Sequence, residues 1–191
     1  PEFEALRDAA KDIKNHPLAH LDLYLEELER KVTETGGVVH WATTAAEARN
    51  IIEGICRKAN ARTVTKGKSM ISEEIALNAH LEKAGFKVVE TDLGEYLIQI
   101  RNEPPSHIIG PAVHLTRDQI EADFRRVHKH LPATRNITEP TALVDEARKV
   151  LRQEFIAADV GITGANFLIA ETGTSIIVTN EGNGDLSQTL P

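Results

Sequence analysis

The sequence predicts an α/β fold: a mostly parallel sheet flanked by helices, with an antiparallel extension near the C-terminus. Two observations carry that prediction. Strand-like apolar segments alternate with amphipathic helical patterns through most of the chain, as βαβ units require. In the last third the alternation stops, and two short apolar segments are separated only by "ETGT", residues 171–174, which reads as a hairpin.

Residues 1–16 are charged and helix-prone but weakly patterned, and read as an exposed helical arm; residues 17–191 then form the α/β domain. Leu18, Leu21, Leu25, Leu28 and Val32 fall on one helical stripe that "TGG" at 35–37 ends. "VVHW", 38–41, reads as a short strand. Thr44 with Glu47 is a capping-box pair opening a helix with Ala48, Ile51, Ile52, Ile55 and Ala59 inward. "RTVTK", 62–66, is a strand. A helix from Ser72 to Ala84 follows, then the strand "FKVVET", 86–91. "GEYLIQI", 94–100, leans towards helix, and "HIIGP", 107–111, reads as a short buried strand. Thr116 and Gln119 form a second capping-box pair, ahead of a helix with Ile120, Phe124, Val127 and Leu131 on one face. After the polar connection 132–140, a helix over 141–158 carries Leu143, Ala147, Val150, Leu151 and Phe155. "GITGANFLIAETGT", 161–174, closes the pattern as two short buried strands whose apolar spine is broken by polar residues and glycine.

The totals narrow the function classes. A hydrophobic share of 41% and a charged share of 27% are those of an ordinary soluble globule. With aromatics at 4%, the core is built from Ile, Val, Leu and Ala. A net charge of −7 argues against nucleic acid or an anionic membrane as partner. No apolar run reaches about 18 residues, so no membrane span is expected. Cys56 is the single cysteine and lies in an apolar helical row; it reads as a buried residue of a protein in a reducing, cytoplasmic compartment. The eight histidines show no metal-ligand spacing, so no metal site is expected.

In open parallel sheets ligands bind beyond the carboxyl ends of the strands. What each strand delivers there is therefore the functional signal. The second strand ends in "KGKS", with Lys66, Lys68 and Ser69, and the third in "TDLGE", with Asp92 and Glu95. His107 and His114 flank the fourth, where they serve as donors or acid–base groups, or as structural hydrogen-bonding residues. The last segments deliver Asn166, Glu171 and Thr172, then Asn180 and Glu181. "KGKS" suits a small anionic ligand through ammonium charge and helix N-terminal amides, or is a solvated turn whose lysines offset nearby acids. It lacks the spacing of a phosphate-binding P-loop. Glu171 is the candidate catalytic carboxylate, as nucleophile, base or ligand clamp, or else it accepts hydrogen bonds within its own turn.

Five segments together carry a family resemblance: "HWATTAAEA", "KGKSMISEEIALN", "VVETDLGEYLIQI", "EPPSHIIGPAVH" and "VGITGANFLIAETGTSIIVTNEGN". They resemble the LUD domain of the lactate utilization B family, from about Leu18 to the end of the chain. The resemblance implies the α/β fold shared by glucosamine-6-phosphate deaminase, ribose-5-phosphate isomerase and CoA transferases. It implies the iron–sulfur, electron-transport subunit of a three-protein bacterial system oxidising L-lactate to pyruvate, with the other lactate-utilization subunits as partners. Full-length relatives would carry two [4Fe–4S] clusters in a segment beyond the LUD domain. Such clusters need closely spaced cysteinates, and this chain has one Cys and stops at "QTLP", so it reads as a fragment or a shortened relative without that segment. No cofactor is expected in this chain, and alone it is not expected to be an oxidoreductase. The other reading is a stand-alone α/β enzyme or binding domain for a carboxylate, CoA ester or sugar phosphate.

Overall fold

The described residues are 2–107 and 110–191, in a computed structural model. In chain order they form α1 (Glu2–Ala19), α2 (Leu21–Glu34), α3 (Ala45–Lys58), β1 (Thr63–Gly67), α4 (Met70–Glu74), α5 (Leu77–Lys83), β2 (Lys87–Glu90), α6 (Leu93–Arg101), α7 (Arg117–Val127), α8 (Pro140–Ala157), β3 (Val160–Thr163), β4 (Phe167–Ile169), β5 (Thr174–Ile176) and α9 (Asn183–Thr189). They group into two compact units. The larger is Ala42–Gly164 with Thr179–Pro191; the smaller runs up to Trp41 and includes Ala165–Val178.

The larger unit holds a parallel sheet in the order β2-β1-β3. Alternation along its strands decides the layering. Val64 and Val88 face a cluster with Cys56, Leu77, Leu81 and Phe86, roofed by α3 and α5. Val89 faces the other way, into a cluster built by α6, α7 and α8 around Leu97, Phe124, Leu151 and Phe155. The α/β fold and its parallel sheet are thus as expected. Both capping boxes form, Thr44 with Glu47 on α3 and Thr116 with Gln119 on α7, and "GEYLIQI" is helical. Cys56 is fully buried.

Several local expectations are corrected. The single helix expected from Ser72 to Ala84 is two, because Ala76 takes a left-handed φ of 51°. The carbonyl freed by that break, of Ile75, accepts a hydrogen bond from the Arg49 guanidinium at 2.7 Å. Ile55 points outward on α3, 43% exposed, and Cys56 takes the inward place. The face expected to reach Leu131 stops earlier, since α7 ends at Val127. Helix α9 lies in a stretch expected to be loop. It packs on β3 at Gly161, where any Cβ would collide with the Ser187 carbonyl, so a glycine is required for the approach. The "HIIGP" strand falls at Ile108 and Ile109, outside the described residues.

The smaller unit joins α1 and α2 to the antiparallel hairpin β4-β5. The expected arm is part of α1, which continues through Pro17 and has no buried residue. The expected stripe is split, with Leu18 on α1 and the rest on α2, and buries only Leu28; Leu18 and Leu21 are exposed. "VVHW" forms no strand: it pairs with none among the described residues, and Val38 and Trp41 are exposed. The hairpin exists, but its strands are not buried as expected, with Phe167, Leu168 and Ile176 exposed.

Candidate functional site

The sheet's carboxyl rim gathers charge from β1, β2, α6 and the segment entering α9. Parallel register sets Lys66 opposite Glu90. Each lies two residues beyond an inward valine, so both share the face of Val64 and Val88. A buried ammonium is costly unless it is paired and hydrogen-bonded. Lys66, 1% exposed, meets the Glu90 carboxylate at 2.8 Å and donates to the Ser72 hydroxyl at 2.9 Å. The Asn78 amide donates to the same Glu90 oxygen at 2.5 Å. Ser72 in turn donates to the Ser69 carbonyl at 2.6 Å, while the Ser69 hydroxyl caps α4.

Two residues on, the chain turns. Lys68 adopts a left-handed φ of 58°, and its ammonium donates to Asp92 at 2.6 Å and Glu181 at 2.5 Å. Partial burial works against that ammonium, but the two carboxylates outweigh it and raise its pKa. Burial also opposes the charge on Asp92; the Lys68 hydrogen bond overcomes this and holds Asp92 below its ordinary value. Glu95 is pushed up to about 7, first by burial and then by the Asp92 charge. Glu73 is raised by burial, with Lys66 pulling it down and Glu90 and Asp92 pushing it up. The Asn183 amide reaches Asp92 at 3.5 Å. Among the described residues, Glu90 Oε2, Glu95 Oε2, Asn78 Oδ1 and Asn183 Oδ1 are buried acceptors without a partner. The rim therefore has spare acceptors, and both of its lysines are already bonded to carboxylates.

The sequence-predicted residues separate into groups. Lys66, Lys68, Ser69, Asp92, Glu95 and Glu181 meet at this rim. Asn180 is exposed beside Glu181. His107 accepts from the Gly110 N–H at 3.3 Å, and His114 pairs with Glu103 at 3.1 Å. Asn166, Glu171 and Thr172 belong to the smaller unit. There Asn166 accepts from the Val178 N–H at 2.7 Å and Thr172 donates to Thr174 at 2.8 Å, while Glu171 is exposed. Sequence reasoning took Glu73 only as an acid for the lysines to offset, and missed Ser72, Asn78, Glu90 and Asn183. For Glu90 a signal existed: "VTK" and "VVE" each end a buried strand on a charge, opposite in sign and on the valine face.

A second polar group lies inside the α6–α8 cluster. Tyr96 OH bonds His128 Nε2 at 2.8 Å, His128 Nδ1 bonds Glu146 at 2.7 Å, and Arg135 closes on Glu146 at 2.6 Å. Tyr96, His128 and Glu146 are all buried, and burial pushes the Tyr96 phenol up to about 12. This chain of bonds ties three helices together. Among the described residues no group of three or more His, Cys, Asp or Glu could hold a metal ion, and no helix is long and apolar enough to cross a membrane.

Comparison with known proteins places the chain. The LUD domain model matches residues 25–191. Lactate utilization protein B of Bacillus licheniformis is 48% identical over 190 residues, that of Bacillus subtilis 47%, and that of Geobacillus sp. 46%. Each alignment covers 99% of this chain but 39% of the relative, so the chain spans about two fifths of the length of the curated relatives it matches. No solved structure matches. With the family model covering all but the first helix and the start of the second, the chain belongs to the LUD domain family.

Proposed function

We propose that the chain is the LUD-domain part of a lactate-utilization protein, acting in the oxidation of L-lactate to pyruvate as scaffold or small-molecule-binding domain of an iron–sulfur electron-transfer subunit. The observation that carries this reading is the near-half identity, over 99% of the chain, to proteins named for lactate utilization. The residues here do not fit a cluster of their own. A [4Fe–4S] centre takes cysteinates in close spacing, whereas Cys56 stands alone, fully buried, with its thiol pKa raised by desolvation. The clusters belong in this reading to polypeptide outside these 191 residues, while the LUD domain scaffolds that segment and docks the other lactate-utilization subunits in a cytoplasmic complex.

The test is replacement of the matching segment of lactate utilization protein B in a Bacillus subtilis deletion strain by this chain. Growth on L-lactate should return. A chimera that accumulates and still leaves the strain unable to grow on lactate, with normal growth on glucose, sinks the reading.

The second reading, a stand-alone binding domain or enzyme for a carboxylate, CoA ester or sugar phosphate, rests on the two rim lysines. Lys66 is closed off by Glu90, so an anion could reach only Lys68, and only by displacing Glu181, whose side chain is 51% exposed. Titration with lactate, pyruvate, acetyl-CoA and ribose 5-phosphate, followed by calorimetry, decides it; no heat with any of them ends this reading.

A further inference from the structure

The smaller unit carries an open pocket of about 460 Å³ that the lactate-utilization reading does not use. That is room for a small organic ligand. One wall is aromatic: the His16 and His20 rings lie 5.0 Å apart, and Tyr24 stands edge-on to His16 at 5.9 Å. Leu23 and Ala170 add apolar surface, and Glu27 and Glu171 supply carboxylates.

The hairpin turn sets Glu171 there. Gly173 has φ +70°, and a Cβ on it would come within 2.7 Å of the Val32 nitrogen and 2.8 Å of the Lys31 carbonyl carbon. Only glycine lets the turn lie this close to α2. The turn closes through the Gly173 N–H on the Ile169 carbonyl at 2.9 Å.

The polar groups at this cavity are mostly uncommitted. Glu27 is bonded to Arg30 at 2.6 and 2.9 Å. Among the described residues, by contrast, the Glu171 carboxylate, the Tyr24 hydroxyl and both imidazoles make no hydrogen bond within the chain. No lysine or arginine lines the cavity. An anion would meet two carboxylates. A wholly apolar ligand would strip water from Glu171 without replacing it. A cation gains twice, from the free carboxylate and from the Tyr24 ring face, which attracts positive charge. The same hairpin already holds one such contact, with Lys14 Nζ 5.5 Å from the Phe167 ring centre.

We propose that this cavity is a binding site for an organic cation, an ammonium or guanidinium head presented by a free small amine or by a lysine or arginine side chain of a partner. The site is built from the smaller unit alone and does not depend on the lactate reading. The test follows the His16, His20 and Tyr24 ring signals of the 191-residue chain by NMR. Butylammonium, ethylguanidinium and an acetyl-arginine-amide peptide are titrated, with sodium L-lactate as the anion probe. Saturable shifts with the cations and none with lactate are expected. Equal affinity for the free amine and the peptide assigns the small-molecule source, and preference for the peptide assigns the side-chain source. Glu171→Gln should weaken binding about fivefold, and Tyr24→Leu about threefold, as a lost ion pair and a lost ring face imply. No saturable shift with any cation, or binding unchanged in both variants, overturns the proposal.

Discussion

Lys66 and Lys68 are two residues apart and carry the same charge, yet the fold treats them in opposite ways. Lys66 lies one residue from the end of a buried strand, 1% exposed, and a 2.8 Å bond to one carboxylate holds it beneath the sheet rim. Lys68 sits on the turn, its side chain 21% exposed, shared between a half-buried Asp92 and a half-exposed Glu181. One lysine is structure, because removing it strands a buried charge. The other is adjustable, because water and salt can replace part of what its partners give. The difference follows from strand geometry. Lys66 keeps the inward direction of Val64 two residues earlier, and the left-handed turn at Lys68 carries the next lysine off the sheet.

The strongest way to break this contrast is Lys66→Met. It leaves Glu90 buried without its ammonium and should cost roughly 3–5 kcal/mol, read from the shift of the urea midpoint. Lys66→Met with Glu90→Gln should recover more than half of that loss, since Gln keeps an acceptor for Asn78 and buries no charge. A double variant as unstable as the single one would mean that Lys66 contributes mainly through Ser72 and the loop that follows.

Next in size is the pH dependence of the Lys68 side of the rim. Glu95 holds its proton more tightly when folded, with its pKa moved from 4.5 to about 7. Stability from this group is therefore full below pH 4.5 and is lost as pH rises through about 7. Asp92 runs the other way: its pKa is lowered from 3.8, so its contribution is present above that value and is lost as pH falls. Because the two carboxyls share the titration, the loss between pH 5 and 8 should be of the order of 1–3 kcal/mol. Glu95→Gln should remove the slope across that range in thermal melts. A wild-type melting temperature that does not fall from pH 5 to pH 8 would count against a proton on Glu95.

The contrast also marks what could be read in the sequence. Periodicity located "TVTKG" and "KVVE" as strands, and the capping pairs located α3 and α7, because those signals are local and tertiary contacts reinforce them. The same reading treated Lys66 and Lys68 as one basic turn. Only the register between β1 and β2, a non-local fact, shows that Glu90 neutralises the first. "VVHW" fails as a strand for a related reason: two valines favour extended chain, but a strand needs a neighbour, and none pairs with it among the described residues. Helix α9 was hidden because "NEGNGD" has the composition of a loop, and what fixes the helix is its seat over Gly161. In "GITGANFLIAETGT" the hairpin was legible, but the division of its polar residues from the sheet rim was not, since the sequence places the two side by side without saying which unit each joins.

A smaller effect is expected for Lys68→Met. Asp92 would lose its cation beside Glu95, at about 1 kcal/mol, and the difference from wild type should shrink in 0.5 M sodium chloride, as it should for a half-exposed pair. An effect as large as that of Lys66→Met, and insensitive to salt, would erase the distinction between the two lysines.

The smallest change in stability is expected for Glu181→Gln, and it separates the two readings of the rim most cleanly. Its side chain is 51% exposed, so its bond to Lys68 should be worth no more than about 0.5 kcal/mol. Asp92 alone then remains on the ammonium, and the outer side of Lys68 is free to meet an incoming anion. If the rim takes small carboxylates or phosphates, Glu181→Gln should tighten their binding several-fold in the same calorimetric titration while the urea midpoint stays unchanged. If the rim is a closed polar seal over the end of the sheet, the variant should bind no better than wild type, and Glu181 serves to occupy Lys68 rather than to gate it.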